Sequence, residues 1–473
     1  MTRYPYQQDL QLILQSMKQA HLKNSPASAE LRRSRLLRSV ALLRENHQAI
    51  ISAISADFGH RSEYQTMAAD LVTTINMLQH SADHLEQWMA PEQAEVPVVG
   101  MQAWIESQPL GVVGIISPWN FAINLAFGPL AGVFAAGNTA MLKPSELTPQ
   151  TSELLAEIVP RYFSQTELTV VLGDARVGQA FSALSFDHLV FTGSSAVGKH
   201  VMRAAAENLV PLTLELGGKS PIVMDSDADP VMAAERTMTI KTFNAGQICI
   251  SPDYLLLPQE AEATFVAAAT AFVRQTLPSL QANTDYTAII NDRHFQRLLN
   301  LLKDADSKGA HIISLAPEGE PDFDARSRKI APHLVLNVTD EMDIMQEEIF
   351  GPLLPIKTYT GGLDEAIAMI NAGPRPLAAY YFGHTEAGQQ KMINNTTSGA
   401  LVINDVMTHA SLDSLPFGGV GASGMGAYHG IHGFRRFSHA KPVVIQNREG
   451  TTNLRLRAPY QDKIETLKAF FNV

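Results

Sequence analysis

The chain has 473 residues, more than one hydrophobic core usually serves, so two domains are expected. Hydrophobic residues make up 45% and charged residues 18%, which argues against the weakly apolar, highly charged makeup of a disordered chain. A formal net charge of −11 argues against nucleic-acid binding through broad phosphate neutralisation, and small molecules become the expected partners.

The only cysteine, Cys249, rules out an intramolecular disulfide or a thiolate metal cluster and fits a reducing compartment. The opening MTRYPYQQDLQ has no apolar run of the signal-peptide kind, and no stretch reaches the roughly 18 apolar residues that span a bilayer. A cytoplasmic protein without membrane partners is expected.

Between residues 10 and 54, Leu14, Met17, Leu36, Val40, Leu43 and Ile50 recur at near-helical spacing among Arg, Lys and Gln, which predicts an N-terminal helical layer. The β-branched run 111–117, stopped by Pro118, reads as a buried strand of a parallel sheet. The apolar stretch 125–137 is interrupted by Gly128, Pro129 and Gly132 and reads as a buried helix start, with the helix itself over 130–136. A strand at 140–143, a helix at 152–159 and strands at 168–172 and 188–191 follow. Such alternation is the mark of a doubly wound α/β sheet, which binds ligands beyond the C-terminal ends of its strands. Lys143, Gly193 and Ser194 lie at such ends. A second α/β segment begins near Gly217, with apolar runs at 221–224, 254–257, 334–336, 353–356 and 400–403, and the polar stretch 316–328 reads as a surface loop.

Five places could carry chemistry. Cys249 lies in FNAGQICISPDY, close to a tight backbone feature marked by Gly246 and Pro252; a lone cysteine is more often an inert core thiol, so its neighbours decide the matter. Glu215, in LTLELGGKSP, follows an apolar strand, where low dielectric would raise its pKa toward that of a general base, although a solvated strand-end glutamate is the plainer reading. Asn120, in SPWNFA, sits just past a strand end, where its amide can donate to a developing oxyanion or satisfy a turn. Lys143 and Glu146, in LKPSE, can grip ribose hydroxyls, with the carboxylate repelling a 2′-phosphate, or form an ordinary surface pair. The turn from Gly193 to Gly198 in FTGSSAVGK offers backbone N–H groups to a pyrophosphate, yet matches neither G-x-G-x-x-G nor the Walker pattern.

Taken together, the motifs PWNF, LKPSE, FTGSSAVG, LELGGKSP, GQIC, EEIFGP and PFGGVGASGMG, in this order, resemble the aldehyde dehydrogenase superfamily over nearly the whole chain, and Glu215 precedes Cys249 by its usual 34 positions. The context GQIC-x-x-PDY and the ending GMGAYHG-x-x-GF-x-x-FSH resemble the class 3 branch, and within it the coniferyl aldehyde dehydrogenases.

The resemblance implies an α/β fold with a Rossmann-like cofactor domain, an α/β catalytic domain and a β-hairpin arm that pairs subunits into a homodimer. The expected division is 1–216 for the N-terminal helices and NAD(P) domain, 217–434 for the catalytic domain and 435–473 for an oligomerisation strand and tail. Residues 98–108 would belong to the arm, with a partner strand near 441–446. Carried over, Cys249 is the nucleophile, Glu215 the general base and Asn120 the oxyanion donor. Lys143 and Glu146 would hold the adenosine ribose, Gly193 and Ser194 would face the pyrophosphate, Glu348 would bind the nicotinamide ribose and Phe350 would support its ring. No metal is implied. NAD is the expected cofactor, with NADP admitted because a flexible carboxylate at Glu146 can swing away. Ala122 and Ala196 depart from the commonest family pattern, and neither removes a reacting group.

The expected reaction is oxidation of an aldehyde, aromatic such as coniferyl aldehyde, to its acid through a thioester on Cys249. Medium- or long-chain aliphatic aldehydes are the alternative. Transfer of the acyl group to CoA is disfavoured by the presence of Glu215, and a non-catalytic role by the presence of Cys249, Glu215 and Asn120 together.

Overall fold

The structure, a computed structural model, describes residues 7–471. Helices α1 (Gln7–Asn24), α2 (Ala29–Glu45), α3 (His47–Phe58) and α4 (Thr73–Met89) make the N-terminal layer. Leu14, Met17, Leu36, Val40, Leu43 and Ile50 are all buried, so the helical periodicity marks the inward face. The stretch Thr66–Val72 that leads into α4 is π-helical and carries the fully buried Asp70. Next come β1 (Glu92–Gln93), which is exposed, and β2 (Gln102–Pro109), which is mostly half-buried; together they leave this layer as a ribbon.

The first sheet holds β3 (Val112–Ile116), β4 (Thr139–Lys143), β5 (Leu168–Val170), β6 (His188–Gly193) and β7 (Leu212–Leu216), with helix α5 (Asn124–Ala135) after β3 and α6 (Ser195–Ala206) after β6. Successive strand residues face opposite sides. Val113, Ile115, Ala140 and Leu142 join the N-terminal helices in one core, while Val112, Met141, Leu189 and Phe191 join Leu10, Leu14 and Met17 in another. Burial on both faces explains why these strands read as unbroken apolar runs.

Helix α5 begins six residues before the expected 130, at Asn124, and runs through Pro129. The proline forfeits one bond to the carbonyl four residues back. Every residue from Leu125 to Ala135 is buried, and that apolar packing offsets the loss.

The second sheet holds β8 (Pro221–Met224), followed by helix α7 (Pro230–Thr242), then β9 (Tyr254–Pro258), β10 (His311–Ser314), β11 (His333–Leu336), β12 (Leu353–Tyr359), β13 (Ala378–Phe382) and β14 (Ala400–Ile403). Its order is β10-β11-β12-β9-β8-β13-β14, with only β10 antiparallel. Strand β13 was not among the expected runs, although all five of its residues are buried. Within 316–328, Phe323–Asp324 pairs with Lys329–Ile330 as a small hairpin.

Near its end the chain returns to the first sheet. Strand β15 (Gly424–Met425) pairs with β7, giving the order β15-β7-β6-β3-β4-β5, and helix α8 (Gly430–Arg436) then packs on α5. The contact is close: a Cβ on Gly132 would lie 2.7 Å from the carbonyl carbon of Gly433. Strand β16 (Ser438–Ile445) pairs antiparallel with β2 along all eight residues, and an exposed helix α9 (Gln461–Lys468) lies in the tail, where only strand and tail were expected. Among the described residues no helix is long and apolar enough to cross a membrane.

Candidate active site

In the first sheet the chain moves from β3 to β4 and β5 on one side and then from β6 to β7 on the other. The winding reverses between β3 and β6, and the crevice for a ligand opens beyond their C-terminal ends. Asn120 follows β3, Lys143 and Glu146 follow β4, Gly193 and Ser194 close β6, and Glu215 lies near the end of β7. Sheet topology therefore gathers at one rim residues that are far apart along the chain.

Glu215 is 3% exposed, and neither carboxyl oxygen has a hydrogen-bond partner. Burial raises its pKa well above the carboxylate range, and the opposing pull of Arg436 does not cancel the effect.

Cys249 follows a backbone knot. Asn244, Ala245 and Gly246 all have positive φ, and a Cβ on Gly246 would come within 2.3 Å of the Gly351 carbonyl. The segment can therefore turn sharply beneath the 348–351 loop. Gln247 locks the turn, donating to the carbonyls of Asn244 and Ala288 at 3.0 and 3.1 Å and accepting from Ile290 N–H at 3.0 Å. Cys249 keeps partial exposure. Its thiol pKa is pushed up to about 12, first by burial and then by the charges of Glu348 and Glu215. The three acids thus share one electrostatic neighbourhood.

The Asn120 amide donates to the Gln247 carbonyl at 3.3 Å, which ties it to the cysteine segment. A carboxamide nitrogen carries two hydrogens, so one is left for an incoming oxyanion.

Glu348 lies against the end of β7. With no side chain at Gly217 its carboxyl fits there, for a Cβ would be 2.1 Å from Oε2. Burial, aided by the Asp253 charge, lifts its pKa to about 8 against the pull of the Gly218 N–H. Phe350 has a φ of 49° and packs edge-on to Trp119 at 5.4 Å. Three residues not singled out from the sequence hold this loop. Lys219 donates to the carbonyls of Ile344 and Glu347 and pairs with Asp253, Asp253 accepts from Ile349 N–H at 2.9 Å, and Arg297 donates to the Glu348 carbonyl at 3.2 Å.

At the dinucleotide end, the Lys143 side chain is 3% exposed and its Nζ lies 3.0 Å from Glu146 Oε2, whereas Glu146 is 43% exposed. This is a half-buried pair at the rim, with the lysine stem passing beside Gly178. Ser194 caps α6 by accepting from Val197 N–H, so the positive end of that helix meets the crevice beside Gly193. A buried ammonium paired with an exposed carboxylate, next to a helix start, fits the ribose and phosphates of a dinucleotide.

An aromatic wall, also absent from the sequence-based expectations, borders the thiol. Phe121, Phe417, Val406 and Ile250 share a core with the partly buried Cys249, Phe243 and Met407. Phe417 stacks on His409 at 5.9 Å and on His429 at 5.0 Å, with Tyr428 edge-on to both Phe417 and His429. The Nδ1 atoms of both histidines lack partners. The Tyr380 hydroxyl donates to the Ile250 carbonyl at 2.5 Å, bracing the cysteine segment from the second sheet.

The model of the aldehyde dehydrogenase family matches residues 4–443. The chain is 58% identical to a coniferyl aldehyde dehydrogenase of Pseudomonas sp. (strain HR199 / DSM 7063) over 454 residues, covering 96% of this chain and 94% of the relative. Among solved structures, the substrate-bound state of Staphylococcus aureus AldH superposes with a TM-score of 0.91 at 35% identity, covering 98% of this chain and 99% of that one. An indole-3-acetaldehyde dehydrogenase in complex with NAD+ superposes with a TM-score of 0.86 at 25% identity, covering 94% and 90%.

Proposed function

Since this chain belongs to the aldehyde dehydrogenase family and is an NAD(P)-dependent oxidoreductase acting on aldehydes, we propose that it oxidises aryl aldehydes of the coniferyl aldehyde type to their acids through a thioester on Cys249. The observation that carries the reading is the meeting of the only thiol with the buried carboxyl of Glu215 and the half-buried Glu348 at the rim of the first sheet. The aromatic wall of Phe417, His409, His429 and Tyr428 supports an aryl substrate, since flat rings pack favourably on one another.

Lys143 and Glu146 would hold the adenosine ribose, Gly193 and Ser194 would face the phosphates, and Glu348 and Phe350 would hold the nicotinamide half. Bound NAD(P)+ would supply a hydride acceptor and a cationic ring. The remaining work falls to side chains of this chain. The Cys249 thiol gives its proton to solvent, and attack of the resulting thiolate on the aldehyde carbon creates an oxyanion, which the free N–H of Asn120 and the backbone N–H of Cys249 stabilise. Loss of the hydride, whose acceptor would be the bound cofactor, leaves the acyl group on sulfur as a thioester. Glu215, having first lost its own proton to solvent, takes a proton from water, the hydroxide adds to the acyl carbon, and the C–S bond breaks to release the acid and the Cys249 thiolate, to which Glu215 can return the proton. A carboxyl whose pKa is raised by burial is a stronger base when ionised, which suits that step.

Residues 1–216 serve the cofactor, 217–434 the thiol and 435–473 subunit pairing, in a cytoplasmic homodimer. The test is an NADH assay over coniferyl, benzyl and long-chain aliphatic aldehydes. Coniferyl aldehyde is expected to give the highest kcat/KM, Cys249→Ala to abolish turnover while remaining folded, and Glu215→Gln to give about one NADH per site and then stall with acyl enzyme visible by mass spectrometry. Full turnover in Cys249→Ala would sink the reading.

A further inference from the structure

Arg61 and Asp70 form an ion pair that takes no part in the chemistry above. Both side chains are fully buried, with Nη2 of Arg61 2.9 Å from Oδ2 of Asp70. The guanidinium lies over the rings of Phe58 and Phe121 at 5.2 and 5.0 Å. Stability alone is a poor reason for such a pair, because desolvating two ions offsets most of their attraction and apolar residues of similar volume often serve as well.

The hydrogen bonds of the pair converge on one loop. Arg61 Nη1 donates to the Asn120 carbonyl at 3.0 Å. Asp70 Oδ1 accepts from the N–H groups of Ile123 and Asn124 at 3.0 and 3.1 Å, at the positive end of α5. The Asn120 carbonyl also accepts from Asn244 Nδ2 at 3.2 Å, within the segment that leads to Cys249. Residues 120–124 are thus gripped at both ends by one charge pair and joined at their first residue to the nucleophile's own segment. Asp70 reaches this place from the π-helical stretch Thr66–Val72, an irregularity of the kind often found at working sites.

We propose that Arg61 and Asp70 are positioning residues that fix the Asn120 amide relative to Cys249, and so set the rate of oxyanion formation without touching substrate or cofactor. This rests on the role given above to Asn120. An alternative in which the pair only holds the fold would move stability and leave the chemistry of Asn120 alone.

Arg61→Lys keeps the charge beside Asp70 but lacks the planar fork needed to reach the Asn120 carbonyl as well. Its kcat is expected to fall about ten- to a hundred-fold, the loss a misplacement near 1 Å produces. The Kd for NAD+ and the rate at which iodoacetamide alkylates Cys249 are expected to stay within about two-fold, because neither depends on the Asn120 amide. The deciding measurement is a double-mutant cycle. In an Asn120→Ala background, Arg61→Lys is expected to change kcat by less than about two-fold, since the group it positions is gone. An equal loss in both backgrounds, or an unchanged kcat in the single variant, overturns the proposal. Normal kcat in Asn120→Ala alone instead removes the oxyanion role on which it depends. If Arg61→Lys does not fold, Asp70→Glu, which keeps the charges and displaces the loop by one methylene, enters the same cycle: a loss confined to the Asn120 background supports the positioning role, and an equal loss in both overturns it.

Discussion

Burial favours the neutral form of Glu215, Glu348 and Cys249 alike, and the charges of the two carboxyls restrain ionisation of the thiol further. A cation placed beside the thiol should relax this restraint, so NAD+ is expected to accelerate alkylation of Cys249 at about pH 7.5, since nearby positive charge favours the thiolate. An unchanged rate at saturating NAD+ would separate the thiol from the cofactor crevice. Glu348 titrates near 8 in the folded chain against an ordinary 4.5, so the fold binds the extra proton between those values. The stability this contributes is complete below the lower value and is lost as pH rises through the upper one. Glu348→Gln imitates the neutral acid, and its Tm relative to the natural chain is expected to rise between about pH 5 and pH 8. A Tm difference independent of pH would show that the carboxyl does not titrate as its surroundings imply. The residues proposed to react could be found from sequence because each sits in a short motif beside a strand end or a glycine. Lys219, Asp253 and Arg297 could not, since they act by tying backbone groups far away, in one case 125 positions along the chain, and no local pattern records such a bond.

Elements followed local chemistry where one face or both were plainly apolar. The strands of the first sheet read as β-branched runs because helices cover both sides, whereas β13, with the sequence AAYYF, opens on two alanines of weak strand preference and offers no alternation to read. The start of α5 was misplaced because Pro129 usually marks a boundary, and only the apolar packing around it keeps it inside. The π-helical stretch Thr66–Val72 is too short for its slip in phase to stand out from the helical pattern on either side. Helix contact supplies a direct test of the packing argument. Gly132→Ala would drive a methyl into the Gly433 backbone of α8, which lies 2.7 to 2.9 Å from the new atom. It is expected to destabilise the fold by about 1–3 kcal/mol in urea unfolding, the usual cost of overpacking. A variant as stable as the parent would mean that the two helices separate freely.

At the scale of the molecule, two sheets meet around the thiol, and β1, β2 and β16 stand apart as a ribbon. Within the described residues β16 pairs only with β2, leaving an eight-residue edge on which Val444 and Ile445 are exposed. Open edges of this length are ready templates for a second chain. If the homodimer forms through it, Val444→Asp combined with Ile445→Asp is expected to shift sedimentation from dimer to monomer, while a dimer that survives both changes would place the contact elsewhere. The same far end of the chain has another duty. Residues Gly424 and Met425 pair with Glu215 and Leu214, so the strand that bears Glu215 takes its outer neighbour from a segment 209 positions further along the chain (424 − 215). A protease that trims the chain back past Gly424 would leave a polypeptide that still carries its sulfur but has a frayed seam beside Glu215.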